Sequence, residues 1–139
     1  FFSSLESAPR EVVRREERPE YKSGWSKSTL SLLTDAAPGR KLAAVEIRVE
    51  SGGSSGKRPA FGLQEAVVLV TSGELVVGLE GQEVELFEGD AVYVSEGPEF
   101  SWKNLGAEEA TLLMVATPGR SDIVSALLDE PAPEQENPS

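Results

Sequence analysis

Four short apolar runs, AVVLV at 66–70 before Gly73 and then LVVGL at 75–79, VELF at 84–87 and AVYV at 91–94, are set off by glycines at 73, 81, 89 and 97, which recur at a fixed interval of eight. Each interval holds about five or six strand residues plus a turn, the rhythm of an all-β barrel or sandwich. Glycine suits the turn points because it adopts positive φ without a Cβ clash. Upstream, KLAAVEIRVE at 41–50 alternates from position 45 onward. Val45, Ile47 and Val49 share one face of a half-buried strand, and Glu46, Arg48 and Glu50 share the other. Residues 63–79 read as two nearly continuous apolar runs, which predicts strands buried on both faces.

The remaining segments follow in order. Residues 1–22 are charge-dense and predict an N-terminal arm, either a short helix between Pro9 and Pro19 or a first edge strand. Trp25, Leu30, Leu32 and Leu33 predict a strand stopped at Ala37-Pro38-Gly39. SGGSSG at 51–56 predicts a loop beside the barrel mouth. TLLMVA at 111–116 is a last strand and closes a barrel over residues 23–119. Ile123, Val124, Leu127 and Leu128 fit one face of a short helix over 120–129. The acidic, proline-rich 130–139 is expected to be disordered.

Composition narrows the chemistry. The 139 residues are 39% apolar and carry a formal charge of −11 without a Lys/Arg stripe, which argues against nucleic acid and acidic lipid surfaces. No run of about 18 apolar residues is present, so no membrane span is expected, and with no signal peptide at the start a cytoplasmic location is. The chain opens on Phe1 rather than Met, from which further upstream residues are expected. There is no cysteine, hence no disulfide or thiolate site, and no histidine, hence no imidazole base, nucleophile pair or imidazole ligand. SGGSSG lacks the spacing of a phosphate-binding loop.

The stretch from Gly53 to Asn104 resembles the cupin superfamily. Gly53 and Gly73 frame a segment of the length of the first cupin motif. GDAVYVSEGPEFSWKN follows the second, with Gly89, Gly97 and Asn104 in place. The resemblance extends to the small sensory cupin domains attached to helix-turn-helix regulators. It implies an antiparallel jelly-roll barrel and places the family's metal ligands on Pro59, Phe61, Ala66 and Phe100, none of which donates to a metal. No cofactor and no metal are therefore expected. Glu65 is one position from the motif's Glu, an offset that turns it to the opposite face of its strand.

Two functions compete on these grounds. The first is a non-catalytic, metal-free cupin, expected to form a homodimer. It would bind a small organic ligand in an apolar barrel pocket or serve as a sensory or interaction module. Its pocket would draw on Phe61, Ala66, Phe100 and Trp102 as walls, with Gln64, Tyr93 or Arg48 supplying an orienting hydrogen bond. Trp102 and Tyr93 as core filler, and Arg48 as part of a solvated, ion-paired face, are the simpler readings of those residues. The alternative function is a metal-independent isomerase or dehydratase using Glu65 with Tyr93 as acid and base. Asn104 is expected to close the turn after its strand.

Overall fold

The computed structural model describes residues 11–24, 26–34, 41–55, 58–59, 65–79, 81–95 and 99–117. Ten strands account for most of them: β1 (Glu20–Ser23), β2 (Ser28–Leu32), β3 (Ala43–Val49), β4 (Arg58–Pro59), β5 (Glu65–Ser72), β6 (Glu74–Leu79), β7 (Gln82–Phe87), β8 (Ala91–Val94), β9 (Glu99–Lys103) and β10 (Ala110–Thr117). They form a six-stranded sheet in the order β1-β2-β3-β10-β5-β8 and a four-stranded sheet in the order β4-β9-β6-β7. All pairings are antiparallel. Two such sheets facing one another across a shared core make a jelly roll.

The glycine rhythm locates the turns. Gly73, Gly81 and Gly89 have φ of 78°, 82° and 94° and end β5, β6 and β7 in turn. At Gly73 the chain leaves the six-stranded sheet for the four-stranded one. A Cβ there would stand 3.0 Å from Ala110 and from the Glu109 carbonyl, so both backbone shape and room call for glycine. The predicted turn at Gly97 and the predicted C-terminal helix and tail lie outside the described residues.

The N-terminal arm resolves in favour of an edge strand. Among the described residues before Pro19 the one helical element is a 3-10 turn at Arg15–Glu17, and β1 then pairs with β2 from Glu20↔Ser31 to Ser23↔Ser28. β3 alternates as its sequence predicts, with Ala43, Val45, Ile47 and Val49 buried. β10 alternates in step, burying Ala110, Leu112, Met114 and Ala116.

The expectation for 63–79 needs correction. β5 is not buried on both faces: Ala66, Val68 and Val70 point into the core, whereas Val67 is 42% exposed on the other side. The sheet has no second layer over that face among the described residues, so its apolar side chains there meet water.

Candidate functional site

Gly53 and Asn104, which anchor the two halves of the motif, are hydrogen-bonded to each other. The Asn104 amide donates to the Gly53 carbonyl at 2.9 Å, and the Gly52 amide donates to the Asn104 carbonyl at 2.9 Å. The Asn104 side chain is buried. Its Nδ2 donates to the carbonyls of Val49 and Glu108 at 2.9 and 2.8 Å, and its Oδ1 accepts from the Gly106 amide at 2.9 Å. Asn104 therefore ties the end of β9 to the end of β3 and closes the turn into β10. Gly53 sits where a Cβ would meet the Ser26 carbonyl at 2.6 Å and a Val49 methyl at 2.8 Å.

Inside the barrel, Ala66 and Phe100 occupy two of the four positions that the family resemblance assigns to metal ligands. Ala66 is 4% exposed and Phe100 1%. Both belong to the same core as Trp102, Leu112 and Met114. The Phe100 and Trp102 rings lie 6.0 Å apart at 56°, a tilted aromatic pair. The Trp102 backbone is fixed by Ser55, whose Oγ accepts from the Trp102 amide at 2.9 Å. A third position, Pro59, lies on β4 opposite Glu99. Phe61 and Gln64 lie outside the described residues. The side chains present do not fit a cupin metal: a methyl group and a phenyl ring stand at the two buried positions, and neither carries a lone pair. Among the described residues no group of three His, Cys, Asp or Glu side chains could hold an ion.

Two residues expected around that interior are elsewhere. Arg48 lies on the outer face of β3 and donates to Glu20 Oε2 at 2.9 Å. Beside it Arg18 pairs with Glu46 at 3.2 Å. These are ion pairs on the outer face: Glu20 takes one terminal nitrogen of Arg48, while the Arg48 Nε is buried without a hydrogen-bond partner among the described residues. Tyr93 lies on the outer face of β8, opposite Val67 of β5 and 54% exposed. It can neither line the interior nor act as core filler.

Glu65 is also exposed on the outside, close enough to Tyr93 to act as acceptor for its hydroxyl. That hydrogen bond raises the Tyr93 hydroxyl pKa above its ordinary value, with smaller contributions from desolvation and the Glu65 charge. The one-residue offset thus has the predicted effect: Ala66 faces in and Glu65 faces out. An acid/base pair inside the barrel built from Glu65 and Tyr93 is excluded by this placement.

The outer face carries a feature that alternation alone did not reveal. Across four strands, Ala44, Val115, Val67 and Tyr93 fall in one register row, and Leu113, Leu69 and Ala91 fall in the next beside Glu46. Two mostly apolar rows therefore cross β10, β5 and β8 on the side away from the core. The signal was present in the sequence as apolar residues at both parities of AVVLV and TLLMVA, but it became legible only once pairing fixed the register.

Comparison with known proteins agrees with the fold. The family model described as Cupin domain matches residues 45–116. No curated protein matches the sequence. The structure is similar to an RmlC-like cupin from Shewanella frigidimarina, at TM-score 0.69 and 18% identity, covering 82% of this chain and 96% of that one. It is similar to KdgF from Halomonas sp., at 0.66 and 17%, covering 84% and 99%. It is also similar to Drosophila melanogaster CENP-C, solved bound to CAL1, at 0.62 and 18%, covering 76% and 85%. No helix among the described residues is long and apolar enough to cross a membrane.

Proposed function

Since the chain belongs to the cupin family, we propose that it is a metal-free, non-catalytic member that works as a dimeric interaction module. The observation that carries this reading is the hydrocarbon at the inherited donor positions. Ala66 and Phe100 are buried in a core with Trp102, which leaves those two positions without an electron-pair donor for a metal and uses their volume for packing. The small organic ligand expected there would compete with Phe100 and Trp102 for the same space. The cupin fold hosts unrelated activities, so function follows the site and not the architecture. One structural relative, CENP-C, was itself solved with a protein partner.

The second copy docks on the outer face of the six-stranded sheet in this reading. Val67, Leu69, Leu113, Val115 and Tyr93 supply the apolar contact area. Of the charges flanking it, Glu46 and Glu20 are paired with Arg18 and Arg48, while Glu65 lies beside Tyr93 at one end. A chain of charge −11 repels its own copies, and self-association is least opposed through a face where two of the acidic groups are already paired with arginines. Burying the rows removes apolar surface from water at about 25 cal/mol per Å².

Elemental analysis of purified protein, together with light scattering after size exclusion, tests both parts. Less than a tenth of an equivalent of transition metal and a dimer mass are expected. Val67→Lys, which places a charge in the middle of the rows at an exposed position, is expected to give a folded monomer. A stoichiometric transition metal overturns the metal-free reading. A wild-type monomer, or a Val67→Lys dimer, overturns the interface.

A further inference from the structure

The outer surface of the four-stranded sheet holds a half-open groove of about 230 Å³, lined by Glu74, Leu75, Val76, Glu85, Leu105 and Gly106. It lies on the sheet opposite to the proposed dimer face and owes nothing to that reading. Register explains its composition. Val76 of β6 stands directly opposite Glu85 of β7, and Glu74 pairs with Phe87, so Glu74 and Glu85 are diagonal neighbours with Cα atoms roughly 7–8 Å apart. Leu105, 71% exposed, and Phe87, 49% exposed, leave large apolar surface in the same region.

The groove's electrostatics are uncompensated. Lys103 stands opposite Val76 in the register on its other side, but its ammonium is committed to Glu83 at 2.7 Å. Neither Glu74 nor Glu85 has an ion-pair or hydrogen-bond partner among the described residues. Two carboxylates at that spacing over an aliphatic floor are complementary to an ammonium at the end of an alkyl stem. The stem lies along Val76 and Leu105, since the Leu75 side chain is turned into the core, while the charge sits between the carboxylates, the division of labour long basic side chains adopt at surfaces. The volume accommodates one side chain, and exposed Phe87 and Leu105 extend the contact beyond it.

We propose that this groove is a docking site for a lysine side chain on a basic segment of a partner protein. The four-stranded sheet thereby offers a surface of different character from the six-stranded one: two carboxylates, unpaired among the described residues, that select cations, where the other presents apolar rows.

Fluorescence anisotropy with a fluorescein-labelled eight-residue peptide of alternating lysine and serine tests the assignment at low ionic strength. Saturable binding is expected, lost when the lysines are acetylated. Glu74→Gln combined with Glu85→Gln is expected to weaken it at least tenfold, and Leu105→Ser at least threefold with every charge retained. Glu16→Gln, which removes the same kind of charge from the distant 3-10 turn, is expected to change it less than twofold. Both altered glutamates are exposed, and an unchanged circular dichroism spectrum checks folding. Equal losses from Glu16→Gln and the double variant would mean diffuse attraction to an acidic protein and overturn the site. So would indifference to Leu105→Ser. Butylammonium binding as tightly as the peptide would overturn the protein partner. Val67→Lys is expected to bind the peptide like the wild type, so the dimer reading can fail without this one, and the reverse.

Discussion

Replacing Asn104 by alanine removes three hydrogen bonds, to Val49, Glu108 and Gly106, all between 2.8 and 2.9 Å, from a side chain that is 1% exposed. At a net value of about 1 kcal/mol each, the loss is about 3 kcal/mol. Part of it is the desolvation of the carbonyl of Val49, itself a fully buried residue. The backbone bonds between residue 104 and residues 52 and 53 do not involve the side chain and survive. Domain stabilities fall at about 5–15 kcal/mol, so the variant should fold but unfold at visibly lower denaturant. With m of about 2 kcal/mol/M in urea, the midpoint drops by roughly 1.5 M at unchanged m. Asn104→Asp sharpens the test, because it keeps the size and replaces a donor with an acceptor aimed at two carbonyls. At neutral pH it should cost more than alanine. Burial and the facing carbonyls hold the introduced carboxyl above its unfolded pKa of about 3.9. Between those two values the native state binds more protons than the unfolded state, so the part of the deficit due to the charge shrinks as pH falls and is gone below the unfolded value, leaving the cost of the one donor that a protonated carboxyl lacks relative to the amide. An alanine cost under about 1 kcal/mol, or an aspartate deficit independent of pH relative to alanine, would refute the claim that this side chain ties β9 to β3.

Gly53→Ala should be the more damaging of two glycine replacements, by about 2 kcal/mol or more in urea melts, because its Cβ would meet backbone carbonyls at 2.6 and 3.0 Å. Gly78→Ala meets only the Ser101 hydroxyl at 2.6 Å, which can rotate away, so a loss under about 1 kcal/mol is expected. Phe100→Ala should cost about 3–5 kcal/mol by cavity formation in the same assay. Absorbance titration of the Tyr21→Phe background, which leaves Tyr93 as the sole tyrosine, should show a pKa above about 10 that falls on Glu65→Gln. The stability contributed by that bond is fully present below the unfolded tyrosine pKa and is lost as pH rises through the raised folded value, so it is constant at neutral pH.

How far the chain disclosed this structure depends on how much of its pattern was periodic. The eight-residue glycine spacing placed the turns after β5, β6 and β7, because each needs a left-handed residue and the intervals left room for one strand apiece. β3 was legible down to its faces: Arg48 shares parity with Glu46 and opposes Val45, Ile47 and Val49, which puts it outside. The one-residue offset of Glu65 from the family's position likewise predicted its outward direction. AVVLV and AVYV were opaque for the converse reason. Apolar residues at both parities hide which face is inside, so Val67 read as core and Tyr93 as core filler or as the pocket's orienting hydrogen bond until pairing with one another across β5 and β8 put both outside. The groove on the four-stranded sheet was invisible because Glu74, Glu85 and Leu105 are distant in sequence and ordinary in type; only the β6–β7 register brings two of them together.

The interior and the exterior of this barrel bear on each other through the same strands. β5 carries Ala66 at an inherited ligand position on one face and Val67 on the other, so a residue that faces the old metal centre alternates with one that faces the proposed partner. In a metal-binding barrel, the inward side chains of such a strand are held to donor types, and the cavity between the sheets must stay open to a substrate. With Ala66 and Phe100 in those places the inward positions are free to pack, each buried phenyl favouring folding by about 1.5–3 kcal/mol. Stability gained inside lets the outer rows carry exposed Val67 and Tyr93, whose contact with water is a liability in a monomer and an asset in a complex. In the proposed reading recognition belongs to the outer surfaces rather than to the cavity between the sheets, with apolar rows on the six-stranded sheet and, on the four-stranded one, two carboxylates unpaired among the described residues.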